Sequence, residues 1–145
     1  MKSKTLLIIL TLTFLNIHSQ KKIKLNNGWY EIIKSESGIL KIDRKSGDKY
    51  FLNSKPIVTP KNFQSHEEFE NYNGDKGISI KLNKKGAENW RIATKNSIGS
   101  KLVFILENEI FCTQIVNSEI TAGIFAFWES QQTENEWRKL KEILN

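Results

Sequence analysis

Histidine, cysteine and carboxylate side chains are the residues of this sequence that could do chemistry, and their spacing limits what that chemistry could be. The segment SHEEFE, residues 65–70, sets a histidine beside carboxylates, as zinc-binding helices do. Such helices carry a second histidine four residues after the first, whereas here Glu70 follows His66 at that spacing. A single imidazole with one carboxylate is a poor zinc ligand set, so we predict no metal site.

Cys112 is the only cysteine and therefore the only candidate thiol nucleophile. It lies in an apolar segment, far in sequence from His66, the histidine that would have to activate it. The sequence also lacks the Gly-x-Ser-x-Gly nucleophile motif and any glycine-rich segment with the spacing of a phosphate-binding loop. We interpret Cys112 as a buried, unreactive thiol. An intermolecular disulfide is the alternative, because a lone cysteine forms no internal one.

Carboxylates are frequent in the last third of the chain, where two of them could form a glycosidase-like acid pair. These residues are Glu107, Glu109, Glu119, Glu129, Glu134 and Glu136. Helix capping and solubility explain acidic residues in turns and at helix starts equally well. We therefore predict no catalytic residue, no cofactor and no enzymatic activity. A small secreted hydrolase with paired carboxylates remains an alternative.

The N-terminus has the organisation of a secretory signal peptide. Lys2 and Lys4 precede an uncharged, largely apolar run over residues 5–17, and a short polar segment follows. The run is shorter than the roughly 20 residues of a membrane-spanning helix. We predict cleavage after Ser19, export to the periplasm or the extracellular space, and a soluble mature chain with no transmembrane segment.

The charge is basic but dispersed. The formal charge of the whole chain is +6, and loss of Lys2 and Lys4 would leave 20 Lys and Arg against 16 Asp and Glu, a charge of +4. The lysines are scattered, without the aromatic and basic platform of a nucleic-acid binder. We predict no nucleic-acid partner. A basic envelope protein that binds anionic lipid or polymer in a salt-dependent way is a second alternative.

Beyond the signal peptide, we predict a polar leader over residues 20–26 and a single domain over residues 27–145. Alternating or apolar segments separated by turn residues predict seven strands. These strands cover residues 28–34, 38–43, 49–53, 77–82, 101–106, 109–116 and 123–128. We expect the first three to form a meander. The strands over residues 101–106 and 109–116 should form a hairpin that turns at Glu107-Asn108. We expect this hairpin in the middle of a sheet, because both strands are apolar at nearly every position.

Helix signals occur at three places. Thr59 before Pro60 predicts the start of a short helix. Asn83 predicts the cap of a longer helix that runs to about residue 98 and is stopped by Gly99. In that helix the residues predicted to share the buried face are Ala87, Trp90, Thr94 and Ile98.

The last helix is predicted from the capping-box pair Thr133 and Glu136. Its predicted buried stripe consists of Trp137, Leu140 and Leu144, with Ile143 at the margin. The order of elements predicts an α+β fold, a mainly antiparallel sheet with helices packed on one face.

From about residue 51 to the end, the chain resembles the head subdomain of the first periplasmic domain of the SecD and SecDF protein-export membrane proteins. The segment PIVTPKNF, residues 56–63, is similar to the family's proline and threonine segment, and ISIKLNKKGAENW, residues 78–90, to its next block. The strand KLVFIL and the segment ITAG, residues 120–123, continue in the same order. Glu107-Asn108 replaces the family's Asp-Gly, and Gln114 stands where proline is frequent.

The resemblance implies a structural or interaction domain without catalytic residues, in its parent protein associated with the handling of exported chains. We therefore predict an exported interaction module that binds a polypeptide or an envelope protein. Apolar residues off the core faces are the predicted surface contacts, namely Ile92 and Trp128.

Overall fold

The computed structural model describes residues 23–145; the predicted signal peptide and the first three residues of the predicted leader lie outside this range. Eight strands and two α-helices form an α+β fold in which all strand pairs are antiparallel, as predicted. The strands are β1 Gly28–Glu31, β2 Ile39–Ile42, β3 Lys49–Leu52, β4 Phe63–Glu70, β5 Lys76–Leu82, β6 Lys101–Leu106, β7 Glu109–Ile115 and β8 Ile124–Trp128. The helices are α1 Lys84–Asn96 and α2 Glu134–Leu144.

The strands form three sheets with the orders β1-β6-β7, β2-β3 and β4-β5-β8. The predicted meander of the first three strands is therefore wrong in part, because β1 pairs with β6 while β2 and β3 form a hairpin. The predicted central position of the 101–116 hairpin holds for β6 and is wrong for β7, which lies at the end of its sheet.

The main core lies between one face of the β1-β6-β7 sheet, the inner face of the β4-β5-β8 sheet and both helices. Trp29 and Phe104 from the first sheet share this cluster with Trp90 of α1 and Trp137 of α2. Both helices therefore pack on the same side of the β1-β6-β7 sheet, which agrees with the predicted arrangement.

A second, smaller core fills the other face of the β1-β6-β7 sheet, beneath the β2-β3 hairpin. Val103 and Ile105 of β6 pack there with Tyr30, Leu52 and Leu25. Because residues of a strand alternate between faces, β6 supplies side chains to both cores. Leu25 belongs to the predicted leader, yet it is buried and its backbone N–H donates to Asn108 Oδ1 at 2.9 Å.

The two α-helices begin where their caps predict. Asn83 Oδ1 accepts a hydrogen bond from Gly86 N–H at 2.8 Å, and Gly99 follows α1 with a φ of +81°. Trp90 is buried as predicted, but Ile98 lies beyond the last helical residue and is 55% exposed, so its predicted burial is wrong. The buried face of α1 does not include Ile98 because the helix ends at Asn96.

The predicted short helix after Thr59 is a single 3₁₀ turn, Pro60–Asn62, and the chain then continues as strand β4. Within the turn, Asn62 Oδ1 accepts from Thr59 N–H at 3.0 Å. Pairing with β5 along nearly the whole of β4 overrides the helical tendency of its glutamates. The 3₁₀ turn therefore ends as soon as the ladder begins.

Candidate interaction surface

The residues with potential for acid–base or nucleophilic chemistry do not converge. His66 is exposed on β4, whereas Cys112 lies half-buried on β7. Burial raises the pKa of the Cys112 thiol far above its usual range, more than the nearby Lys45 lowers it. The thiol is therefore protonated at neutral pH and a poor nucleophile. Within residues 23–145, no group of three or more histidine, cysteine or acidic side chains is placed to hold a metal ion.

Four of the six glutamates listed above, Glu107, Glu109, Glu119 and Glu136, form ion pairs with lysine or arginine. Lys139 Nζ binds Glu107, and Arg44 lies 2.9 Å from Glu109. Burial raises the pKa of Glu136, but the Thr133 N–H and Lys45 more than offset it, so the pKa is lowered. A glycosidase-like acid needs a raised pKa. This arrangement gives the hydrolase alternative no support.

The β4-β5-β8 sheet has one buried face and one face open to solvent. Ile78 and Ile80 of β5 point into the main core together with Phe125 and Phe127 of β8, and all four are at most 5% exposed. The other face, here called the open sheet face, is partly or fully accessible at all positions but the central glycine. Its residues are Ser65, Glu67 and Phe69 of β4, Gly77, Ser79 and Lys81 of β5, and Ile124, Ala126 and Trp128 of β8.

An aromatic pair crosses the open sheet face. The rings of Phe69 and Trp128 meet edge to face with centroids 5.1 Å apart, although a strand separates the two residues. Gly77 lies between them in the ladder, and a Cβ there would come within 2.5 Å of Phe69 Cζ and 2.9 Å of the Phe127 carbonyl oxygen. The glycine therefore makes room for Phe69 to reach Trp128.

Strand β4 is the edge of this sheet, and its outer backbone groups can be assigned from the register. Antiparallel ladders bond every second residue to the partner strand. The Asn71 N–H donates to the Asp75 carbonyl at 2.9 Å, which fixes the phase of the β4-β5 ladder. The β4 residues that direct their N–H and C=O groups away from β5 are consequently His66, Glu68 and Glu70. Within the part of the chain that the structure describes, no strand pairs with this edge.

The opposite edge of the sheet is partly occupied. The Leu82 N–H donates to the Gly123 carbonyl at 2.9 Å, which fixes which β8 residues bond to β5. By this alternation the Ala126 carbonyl points away from β5. Gln114 Nε2 of β7 donates to that carbonyl at 2.9 Å. The edge of β4, called the free edge below, is therefore the side on which this sheet can accept a further strand.

The two predicted surface contacts lie on different surfaces. Trp128 belongs to the open sheet face and is partly exposed. Ile92 projects from α1, is 45% exposed and lines a shallow groove of about 240 Å³ with Pro56 and Ile57. Sequence reasoning missed Phe69, because the sequence predicted a short helix after Thr59 and no strand between residues 53 and 77. The turn residues Asn71 to Asp75 between two extended segments are the signal that could have indicated a β4-β5 hairpin.

Comparison with known families decides the identity of the domain. The family model for the SecDF P1 head subdomain matches residues 35–145, which include the whole open sheet face and the free edge. The chain belongs to the SecDF P1 head subdomain family. The resemblance found in the sequence is thus confirmed, and the family match starts earlier in the chain than residue 51.

Two solved structures share the fold of this SecDF head subdomain. One, described as "Structure and function of a membrane component SecDF that enhances protein export", is 18% identical, covers 65% of this chain and 42% of that chain, and has a TM-score of 0.55. The other, "Crystal structure of SecDF in Super-membrane-facing form", is 16% identical, covers 72% of this chain and 13% of that chain, and has a TM-score of 0.56. The chain thus spans less than half of either structure.

A search of the curated proteins found no match to this chain. Among the described residues of this SecDF head subdomain, no helix is long and apolar enough to cross a membrane.

Proposed function

We propose that this SecDF head subdomain is an exported, non-enzymatic interaction module that binds exported polypeptides or an envelope protein. The observation that carries the proposal is the open sheet face with its Phe69–Trp128 pair, which lies beside the free edge of β4. Together they offer apolar contact area and unpaired backbone groups, the two features by which sheets bind extended polypeptide. The predicted signal peptide supports export.

Contacts within the protein hold part of its basic charge, which bears on the alternative of binding an anionic lipid or polymer. Lys45 Nζ donates to the Phe111 and Gln131 carbonyl oxygens, each at 3.0 Å, and Lys141 pairs with Glu68 at 2.9 Å. Lys101 donates to the Tyr50 hydroxyl at 3.3 Å. These ammonium groups are held by the protein's own oxygens, so they are less available to an anionic surface.

Photocrosslinking tests the proposal. We expect p-benzoylphenylalanine in place of Phe69 to crosslink to a reduced and carboxymethylated polypeptide, which stays unfolded, and not to the same polypeptide with its disulfides intact. The control places the same photoreactive residue at Ile98, which is exposed at the end of α1. Equal crosslinking from both positions, or equal crosslinking to the folded and unfolded forms, would contradict the proposal.

A further inference from the structure

We propose that the ligand of this protein is an extended segment with alternating basic and apolar residues, which adds to the free edge of β4 as an antiparallel fourth strand of the β4-β5-β8 sheet. The inference rests on the proposed function and specifies the ligand for the same surface. It depends first on the free backbone groups of β4 and second on which side chains β4 presents on each face.

The free edge is long enough to bind a strand. β4 has eight residues, contains no proline, and carries its irregularity between Phe63 and Ser65, at the end far from the β4-β5 turn. Proline, a bulge or a lysine is the usual means of blocking an edge. From His66 to Glu70 the edge has no proline, bulge or lysine, but it carries the charges of three glutamates. Charged side chains also protect an edge, so its three outward-facing residues are open to an added strand that offsets this negative charge.

The side chains of β4 determine the pattern of the ligand. Glu68 and Glu70 lie two residues apart on one face, and Phe69 lies between them on the open sheet face. A strand added beside β4 would place every second side chain next to Glu68 and Glu70 and the others next to Glu67 and Phe69. Glu68 already pairs with Lys141 of α2 at 2.9 Å, so a basic residue of the ligand fits beside Glu70, and an apolar residue fits beside Phe69 on the other face.

The same charges disfavour pairing of β4 with a second copy of itself. β4 carries Glu67, Glu68 and Glu70 and no lysine or arginine. Two such strands joined edge to edge in antiparallel orientation would set Glu68 opposite its own copy when centred on Glu68, and Glu68 opposite Glu70 when centred on Phe69, and like charges directly opposite are destabilising. A cationic segment meets opposite charges instead. We expect the ligand strand to run antiparallel to β4, because antiparallel pairs are more stable per residue than parallel ones. All strand pairs of the described chain are antiparallel as well.

Peptide binding measured by fluorescence anisotropy tests the pattern. We expect a labelled seven-residue peptide of alternating lysine and valine to bind at least tenfold more tightly than a peptide of the same composition with its lysines grouped, or one of alternating glutamate and valine. Equal binding of the alternating and grouped lysine peptides would overturn the inference, because simple charge attraction does not depend on residue order.

Backbone methylation tests the pairing itself. In an antiparallel addition, the residues opposite Glu68 and Glu70 exchange N–H and C=O bonds with them, and these are the lysines of the peptide. N-methylation of the lysines should therefore abolish measurable binding, whereas N-methylation of the valines should change it by less than about threefold. The reverse result, or no effect of either, would overturn the inference.

A charge reversal on the protein provides the matched control. Glu70→Lys should weaken binding of the alternating lysine peptide by roughly five- to tenfold. Glu36→Lys, at an exposed turn position between β1 and β2, changes the net charge equally and should leave binding within twofold. Equal weakening by both variants would overturn the inference. If the unfolded polypeptide crosslinks at Phe69 while no peptide discriminates, the further inference fails and the proposed function stands; absence of both signals refutes both.

Discussion

Trp29 and Trp90 meet at the centre of the main core, where each is at most 1% exposed and their ring centroids lie 5.3 Å apart. Within the described residues, neither indole N–H has a hydrogen-bond acceptor. The rings of Phe104, Phe125 and Phe127 surround Trp29, with centroids 5.3, 5.6 and 5.9 Å from its own. The close packing of these large rings therefore leaves two buried N–H groups without an acceptor.

We expect Trp90→Ala to lower the free energy of unfolding by about 3 to 5 kcal/mol, because it leaves a cavity among aromatic rings. Trp90→Phe should cost only about 1 kcal/mol, since it keeps most of the ring and removes a buried, unsatisfied N–H. Urea unfolding of both variants measures the two values. An unchanged stability of Trp90→Ala would contradict the assignment of Trp90 as a core residue.

At the scale of elements, the β6-β7 turn is held by its own backbone and by two other segments. Glu107 and Asn108 have φ values of +49° and +69°, as a two-residue type I′ turn requires. Asn108 Oδ1 also accepts from the Leu25 N–H at 2.9 Å and from Lys41 Nζ at 2.6 Å. One asparagine thus joins the turn to the segment before β1 and to β2.

Two substitutions separate the conformational role of Asn108 from its hydrogen bonds. Asn108→Gly keeps the positive φ and loses the acceptor, so we expect a loss of about 1 to 2 kcal/mol. Asn108→Ala adds the strain of a positive φ and should cost about 1 kcal/mol more. Thermal and urea unfolding measure the difference. Equal stability of the two variants would show that the turn conformation is not under this constraint.

Helix α2 is predicted to carry a pH dependence through Glu136. The Glu136 carboxylate accepts from the Thr133 N–H at 2.9 Å and lies 3.2 Å from Lys45 Nζ, which lowers its pKa below 4.5 despite partial burial. A lowered folded-state pKa stabilises the protein above the unfolded-state value and loses that contribution as the pH falls through the folded-state value. Glu136→Gln should therefore lose about 1 kcal/mol at pH 7 and less at pH 3.

Chemical unfolding at the two pH values checks this expectation. The matched control is Glu142→Gln on the same helix, where the carboxylate is exposed and pairs with Arg138. We expect that variant to stay within about 0.5 kcal/mol of the parent at both pH values. A Glu136→Gln variant with the same deficit at pH 3 as at pH 7 would contradict the assigned role.

Local signals in the sequence predicted both α-helices, their caps and the β6-β7 turn, because caps and tight turns depend on a few neighbouring residues. Pairing between distant strands was not predictable in this way, so the partner of β1 was assigned incorrectly. β4 was missed because neither of its faces is fully buried, and without a clear alternation of apolar residues its glutamates suggest a helix. Trp128 was predicted as a surface contact. Its contact with Phe69 was not, because that contact depends on how β4, β5 and β8 pair.

At the scale of the whole molecule, β6 joins the two cores into one cooperative unit. Leu102, Phe104 and Leu106 face the main core, while Val103 and Ile105 face the second core. A loss of packing in either core therefore acts on the same central strand. We expect the domain to unfold in a single transition, as small domains with shared elements do.

The tryptophans make this expectation testable, because Trp29, Trp90 and Trp137 belong to the main core and Trp128 to the open sheet face. Leu52→Ala, a fully buried position of the second core, should lower stability by about 2 to 5 kcal/mol. The transition followed by tryptophan fluorescence should shift together with that followed by far-UV circular dichroism. A fluorescence transition left unchanged would show that the two cores unfold separately.

The pairing of β1 with β6 also sets the order of events during synthesis. Gly28 lies opposite Ile105, so the first strand leaves the ribosome long before its partner has been made. Neither core can close until β6 has appeared, and the main core also waits for β8 and α2. Contacts this distant in sequence fold slowly. A nascent chain of this kind keeps both cores open for most of its synthesis, which is compatible with the export proposed above.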